Sequence, residues 1–161
     1  MKFIIPVLIS AFMLTCAAAA QNKSVYTSTN TKACKTIESS PEEAGSYEGE
    51  CKGVGVYKIR LLEGDIRQTL DILSGKKRFE LNFWHFFSGF SSIGEKIEWR
   101  TKNGVPVALI ARFNVSSGDD SSKNTSYLMI SKIGPKMSCV TDTLGPVAGQ
   151  NEKARVLAVR D

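Results

Sequence analysis

The chain has one histidine, His85, in 161 residues. That scarcity leaves a single imidazole for any Ser/His or Cys/His pair and rules out a histidine-rich metal site. Its four cysteines contain no C-x-x-C, which removes the zinc-ribbon and thioredoxin-like patterns. No G-x-S-x-G nucleophile elbow occurs. The close pair Gly53 and Gly55 is not followed by Lys-Ser/Thr, so it reads as a turn or bulge at a strand entry and not as a phosphate loop. Beyond the first fourteen residues no apolar run approaches the about 20 residues that a spanning helix needs. Basic residues form no stripe and do not interleave with the aromatic cluster, which argues against nucleic acid as a partner. No cofactor motif is present.

The first twenty residues carry a delivery signal. Lys2 precedes the apolar run from Phe3 to Leu14, and Ala17-Ala18-Ala19-Ala20 follows. This is a charged, an apolar and a small-residue region in the order of a secretory signal peptide cleaved after Ala20. Cys16 opens a lipoprotein alternative, but Thr15 stands where a lipobox requires Gly, Ala or Ser. Residues 1–20 are therefore expected to be removed, and residues 21–161 to form one domain that is periplasmic or secreted. Losing Lys2 takes the formal charge from +5 to +4, mild enough for weak contact with anionic surfaces such as lipid headgroups or envelope polysaccharide.

Export leaves Cys34, Cys51 and Cys139 in an oxidising compartment. The spacing favours a Cys34–Cys51 disulfide around a polar loop, which would stabilise the fold by about 3 kcal/mol. Pairing of either with Cys139 is the alternative. Cys139, in Met137-Ser138-Cys139-Val140, reads as a buried strand residue.

The stretch Cys51–Leu73 organises the rest. Tyr57, Ile59 and Leu61 alternate with Lys58 and Arg60, the period of a half-buried strand. Glu63-Gly64-Asp65 supplies a turn, with Gly64 expected at positive φ, and Ile66 to Ile72 alternates back. Further strands are expected around Lys96–Arg100, Val105–Val115, Thr125–Ile133 and Met137–Thr141. Asn103-Gly104 is the strongest hairpin signal, and Val105–Val115 is apolar enough for a central strand. Ser91–Glu95 reads as a connector and Ser116–Asn124 as a polar loop. Ala154, Leu157 and Ala158 lie on one face of a terminal helix that Asn151 can cap. The fold class is mainly β: a single antiparallel sandwich or partly closed barrel of about seven to nine strands with a C-terminal α-helix. A β-rich α+β fold is the alternative.

Phe79–Phe90, FELNFWHFFSGF, is the most unusual stretch. As a strand it places Phe79, Leu81, Phe83, His85 and Phe87 on one face and Trp84 and Phe86 on the other. Such a segment is either central or covered from outside. Core packing is the plainer reading, while Trp84, His85, Phe86, Phe87 and Phe90 form the candidate ligand or partner surface. His85 reads as structural. Asp65, His85, Glu95 and Glu98 are the candidates for catalysis, but no matched catalytic set assembles, and Glu98 with Arg100 suits an ion pair.

Cys51-x-Gly53-x-Gly55-x-Tyr57, Gly64-Asp65-x-Arg67, Gly94 with Glu98-Trp99-Arg100, Ala111-Arg112 and the late Cys139 together resemble an uncharacterised group of small exported proteins from alphaproteobacteria. The resemblance covers most of the mature chain. It implies a periplasmic home and supplies no catalytic residue. The function expected is a non-catalytic exported module that binds an unidentified protein or envelope component. A small periplasmic hydrolase and an envelope assembly protein are the alternatives.

Overall fold

The computed structural model describes residues 22–40, 42, 45–117 and 120–160. The expected leader, with Cys16, lies outside the described residues.

The central hairpin forms as its alternation requires. Strand β4 (Tyr57–Gly64) pairs antiparallel with β5 (Arg67–Ser74). Tyr57, Ile59 and Leu61 are buried, and Lys58 and Arg60 lie on the other face, where Arg60 pairs with Glu48 and Glu50. The turn differs in one respect. Its positive-φ residues are Asp65 and Ile66, at φ 53° and 56°, and Gly64 is not among them. Two consecutive left-handed residues make the turn whose twist matches the strands. A β-branched side chain in that region is a true outlier.

The remaining strands are β1 (Asn22–Ser28), β2 (Lys35–Ser40), β3 (Ser46–Lys52), β6 (Lys77–Glu80), β7 (Ser91–Lys102), β8 (Val105–Ser117), β9 (Asp120–Lys132) and β10 (Cys139–Leu144). They form one ten-stranded sheet in the order β10-β9-β8-β7-β5-β4-β3-β2, with β1 beside β7 and β6 beside β5. Among the described residues all pairings are antiparallel except a single bridge, Arg67 to Ser91, that joins β5 to β7. The path does not close. It folds over instead: the rings of Tyr57 on β4 and Trp99 on β7 come within 6.4 Å, although the strands are not neighbours. Between the folded halves Trp99, Phe83, Phe113, Ile59, Leu70, Ile72, Ile97 and Met129 are fully buried. Each such side chain stabilises the fold by roughly 1.5–3 kcal/mol.

Several boundaries move. Ser91–Glu95 belongs to β7, and β8 and β9 extend through most of Ser116–Asn124 as a long hairpin. Asn103 and Gly104, at φ 52° and 82°, make the expected tight turn. Helix α1 (Gln150–Ala158) is capped by Gly149 in the left-handed region, with Asn151 inside its first turn. Its Ala154, Leu157 and Ala158 pack on Ala108, Ile110, Leu128 and Ile130, the outer face of β8 and β9. That cover explains why β8 is apolar on both faces. Cys34 and Cys51 are joined in a disulfide, and Cys139, half-buried at the start of β10, is not.

Candidate functional site

The aromatic stretch is not one strand. β6 stops at Glu80, Asn82 turns the chain at φ 48°, and Phe83–His85 form a single 3-10 turn. The cause lies beneath it, on β5. Thr69 Oγ1 accepts the Phe83 N–H at 2.9 Å, and Asp71 Oδ1 accepts the Leu81 N–H at 3.4 Å. These donors go to buried side chains, so no ladder continues. The turn then splits the aromatics. Phe83 and Phe87 pack edge-on and tilted against Phe113, and Phe87 meets Tyr127 at 4.2 Å. Phe86 and Phe90 stay 47% and 49% exposed.

Of the five candidate surface residues, Phe87 is therefore largely a core residue. Trp84 and His85 line a shallow cleft with Gly64, Asp65 and Arg67. Phe90 lines a separate one with Ile66, Ser91, Ser92, Asn114, Ser116 and Asn124. The two clefts flank the β4–β5 turn. Asp65 and His85 thus share a cleft, but the Asp65 carboxylate pairs with Arg67 at 3.1 Å, and among the described residues no Ser, Thr or Cys lines that cleft. Glu95 accepts from the Asn30 amide at 2.8 Å, and Glu98 lies elsewhere, under the helix. The four acid–base candidates are not brought together. Among the described residues no three His, Cys, Asp or Glu side chains converge as metal ligands.

The most organised polar group sits where α1 crosses the sheet. Here β1, β7, β8, β9 and α1 enclose a cavity of about 280 Å3 lined by Tyr26, Lys96, Glu98, Ile110, Arg112, Leu128, Asn151 and Arg155. Glu98, only 8% exposed, is its hub. Arg155 donates to both carboxylate oxygens, from Nε at 2.8 Å and Nη2 at 3.1 Å. Ser24 donates its hydroxyl at 2.6 Å, and Arg100 lies 3.6 Å away. Burial pushes the Glu98 carboxyl up, but the Arg155 and Ser24 donors outweigh it and hold the group below its ordinary range. The same contact with Glu98 raises the Arg155 guanidinium further. Arg155 also donates to the Tyr26 hydroxyl at 3.2 Å.

Arg112 forms the opposite wall. It interrupts the apolar run of β8, and its guanidinium meets neutral oxygens: Ser126 Oγ at 2.8 Å, Gln150 Oε1 at 3.2 Å and Asn151 Oδ1 at 3.1 Å. A bulge makes room for it. Gly94, Glu95 and Lys96 of β7 stand opposite Arg112 alone, between the Ile93–Phe113 and Ile97–Ala111 pairs. A side chain at Gly94 would lie 3.0 Å from the Arg112 Cβ. The residue just past β1 clamps the bulge, since Thr29 donates its N–H to Glu95 O at 2.9 Å and its hydroxyl to Gly94 O at 3.0 Å. Bulges of this kind re-aim side chains beside a site. Here the bulge brings Lys96 to the cavity rim, with its ammonium 5.7 Å from the Tyr26 ring centre.

The expected Glu98–Arg100 contact is thus present, but Arg155 and Arg112 were not anticipated as a site. The available signal was Arg112 itself, a charge within an otherwise apolar strand, together with the Glu98-x-Arg100 alternation.

No protein-family model matches the chain, and no curated protein or solved structure matches it.

Proposed function

We propose that this protein is a non-catalytic exported binding module, at home in the periplasm, whose ligand seats in the cavity beneath α1. The observation that carries this reading is the arrangement of Tyr26, Lys96, Glu98, Arg112, Asn151 and Arg155 around one cavity of about 280 Å3. Four separate elements deliver those side chains already in contact, all hydrogen-bonded except Lys96, which stands over the Tyr26 ring, the pre-formed concave arrangement of a ligand site. Glu98 is saturated with donors, which suits an organising role and not proton transfer. Support for export comes from the leader pattern, from the Cys34–Cys51 disulfide and from the resemblance to small exported proteins. No helix among the described residues is long and apolar enough to cross a membrane.

The test is native mass spectrometry of the mature protein after incubation with the small-molecule fraction of its own periplasm. A discrete added mass should appear on wild type and be lost in Asn151→Trp. That exposed helix position lines the cavity, so the indole would block it without entering the core. No added mass, or one retained by Asn151→Trp, sinks the reading.

A second reading keeps the aromatic edge as a protein contact. It is favoured by Ile66, a β-branched residue held at φ 56° and 51% exposed beside Phe90. Strain of this kind collects at functional sites. Cross-linking capture of a single protein by wild type, lost in a folded Phe86→Ser/Phe90→Ser variant, would establish it.

A further inference from the structure

Charge in the helix-covered cavity does not balance. Three cationic side chains, Lys96, Arg112 and Arg155, and one carboxylate, Glu98, line it. Glu98 is matched by Arg155 alone at 2.8 and 3.1 Å, and Arg100 adds a further positive charge at 3.6 Å. Lys96 and Arg112 are left over, and neither meets a carboxylate among the described residues. Arg112 uses three N–H bonds toward Ser126, Gln150 and Asn151, while a guanidinium carries five. Its neutral partners orient the planar group without cancelling its charge. Gly94 and the bulge around it leave room for the Arg112 side chain itself, whose Cβ would lie 3.0 Å from any Cβ at position 94.

The rest of the wall limits what enters. Ile110 and Leu128 are apolar, and the Tyr26 ring stands at the rim. A space of about 280 Å3 sits just under the usual range for drug-sized ligands, roughly 300–1,000 Å3, so the occupant is small.

We infer that the cavity binds a small organic oxyanion, its charged group held between Arg112 and Lys96 and its apolar or sugar body against Tyr26, Ile110 and Leu128. The inference rests on the binding-module reading and names the ligand class of that same site. A guanidinium with free N–H bonds recognises carboxylate or phosphate by paired hydrogen bonds, and the nearby ammonium adds an unspecific attraction. The Glu98–Arg155 pair has a positioning role: it fixes α1 over the sheet and removes the one wall charge that would repel an anion.

Backbone amide shifts in NMR spectra of the mature protein, at low salt, test this with four probes: glucuronate, glucose 6-phosphate, glucose and inorganic phosphate. Glucuronate and glucose 6-phosphate differ in the oxyanion, glucose lacks it, and inorganic phosphate lacks the body. The expected result is saturable shifts at Lys96, Arg112 and Asn151 with at least one of the two sugar anions, and none with glucose. Arg112→Gln should weaken that binding at least tenfold, Lys96→Gln several-fold, and raising salt should weaken it further. Unchanged amide patterns away from the cavity will show that each variant is folded. Equal shifts with glucose would overturn the anion class but leave the binding module standing. Anion shifts outside the cavity, or binding indifferent to Arg112→Gln, would overturn the site. Inorganic phosphate binding as tightly as the sugar anions would overturn the apolar body. Silence at the cavity with every probe would overturn the inference, and the mass-spectrometric result would then decide the module on its own.

Discussion

Two parts of this molecule bury an acid beside an arginine, and they resolve the problem in opposite directions. Under α1, Glu98 is 8% exposed and its carboxyl is held below the ordinary range. Under the aromatic turn, Asp71 is 1% exposed and its carboxyl is pushed up by burial, which Arg78 at 2.6 Å does not offset. The difference is the number of donors. Glu98 has a two-pronged Arg155, the Ser24 hydroxyl and a second guanidinium nearby. Asp71 has one N–H of Arg78 and a long bond from Leu81. An ion pair offsets desolvation only when the remaining lone pairs are also satisfied. Asp71 and its neighbour Thr69 hold a backbone turn in place, whereas Glu98 holds a helix and a cavity wall.

The sharpest way to break this comparison is to remove each arginine in turn. Arg155→Ala leaves Glu98 charged and short of donors, and should cost about 3 kcal/mol, the low end for a broken buried pair because Arg155 is one-third exposed. Arg78→Ala should cost less, roughly 1–2 kcal/mol, because Asp71 neutralises by taking up a proton instead. Urea midpoints at constant slope would measure both, and equal losses would erase the distinction. Next comes Thr69→Val, which keeps the shape and strands the buried Phe83 N–H, at about 1–3 kcal/mol. Its loss should appear as exchange of the Phe83–Phe87 amides before global unfolding.

Smaller effects follow from pH. Glu98 is depressed in the folded state, so its contribution is present above the unfolded carboxylate range and disappears as pH falls through the folded value. Asp71 is raised, so its ionisation costs stability at neutral pH and that cost is relieved as pH falls. Between about pH 7 and about pH 3 the wild type should lose stability relative to Glu98→Gln and gain it relative to Asp71→Asn. Denaturant titrations at several pH values would show the two differences moving apart. Last, Phe86→Ser should change stability by less than about 0.5 kcal/mol, since its ring is half-exposed. A larger loss would place Phe86 in the core with Phe87.

Local patterns reached the strands and missed what lies between them. The β4–β5 hairpin, the Asn103-Gly104 turn, the central position of β8 and the buried face of α1 each follow from spacing within about a dozen residues, where side-chain period is informative, and the Cys34–Cys51 pairing spans only 17. The aromatic stretch misled because its period suits a strand, and Thr69 and Asp71, which end that strand, lie at least ten residues upstream. Both sit at polar positions of an alternating strand that normally face water. β5 is buried on both faces because the aromatic turn folds back over it, a tertiary effect without a local signature. The cavity was equally hidden. Tyr26, Glu98, Arg112 and Arg155 come from four elements spread over the chain, and only the sheet order brings them together.

The position of β1 has a kinetic consequence. β2 to β5 pair with sequence neighbours and can zip as local hairpins, but β1 docks on β7, joining Asn22 to Lys102. Loop-closure entropy delays such distant contacts. Tyr26 and Ser24 should therefore reach the corner only after the meander exists, to meet Glu98 and an Arg155 distant in sequence. Substitutions at Thr27 or Arg155 should then speed unfolding and leave refolding nearly unchanged. On this order the cavity should be the last part of the molecule to form, and detachment of β1 or α1 should undo it first.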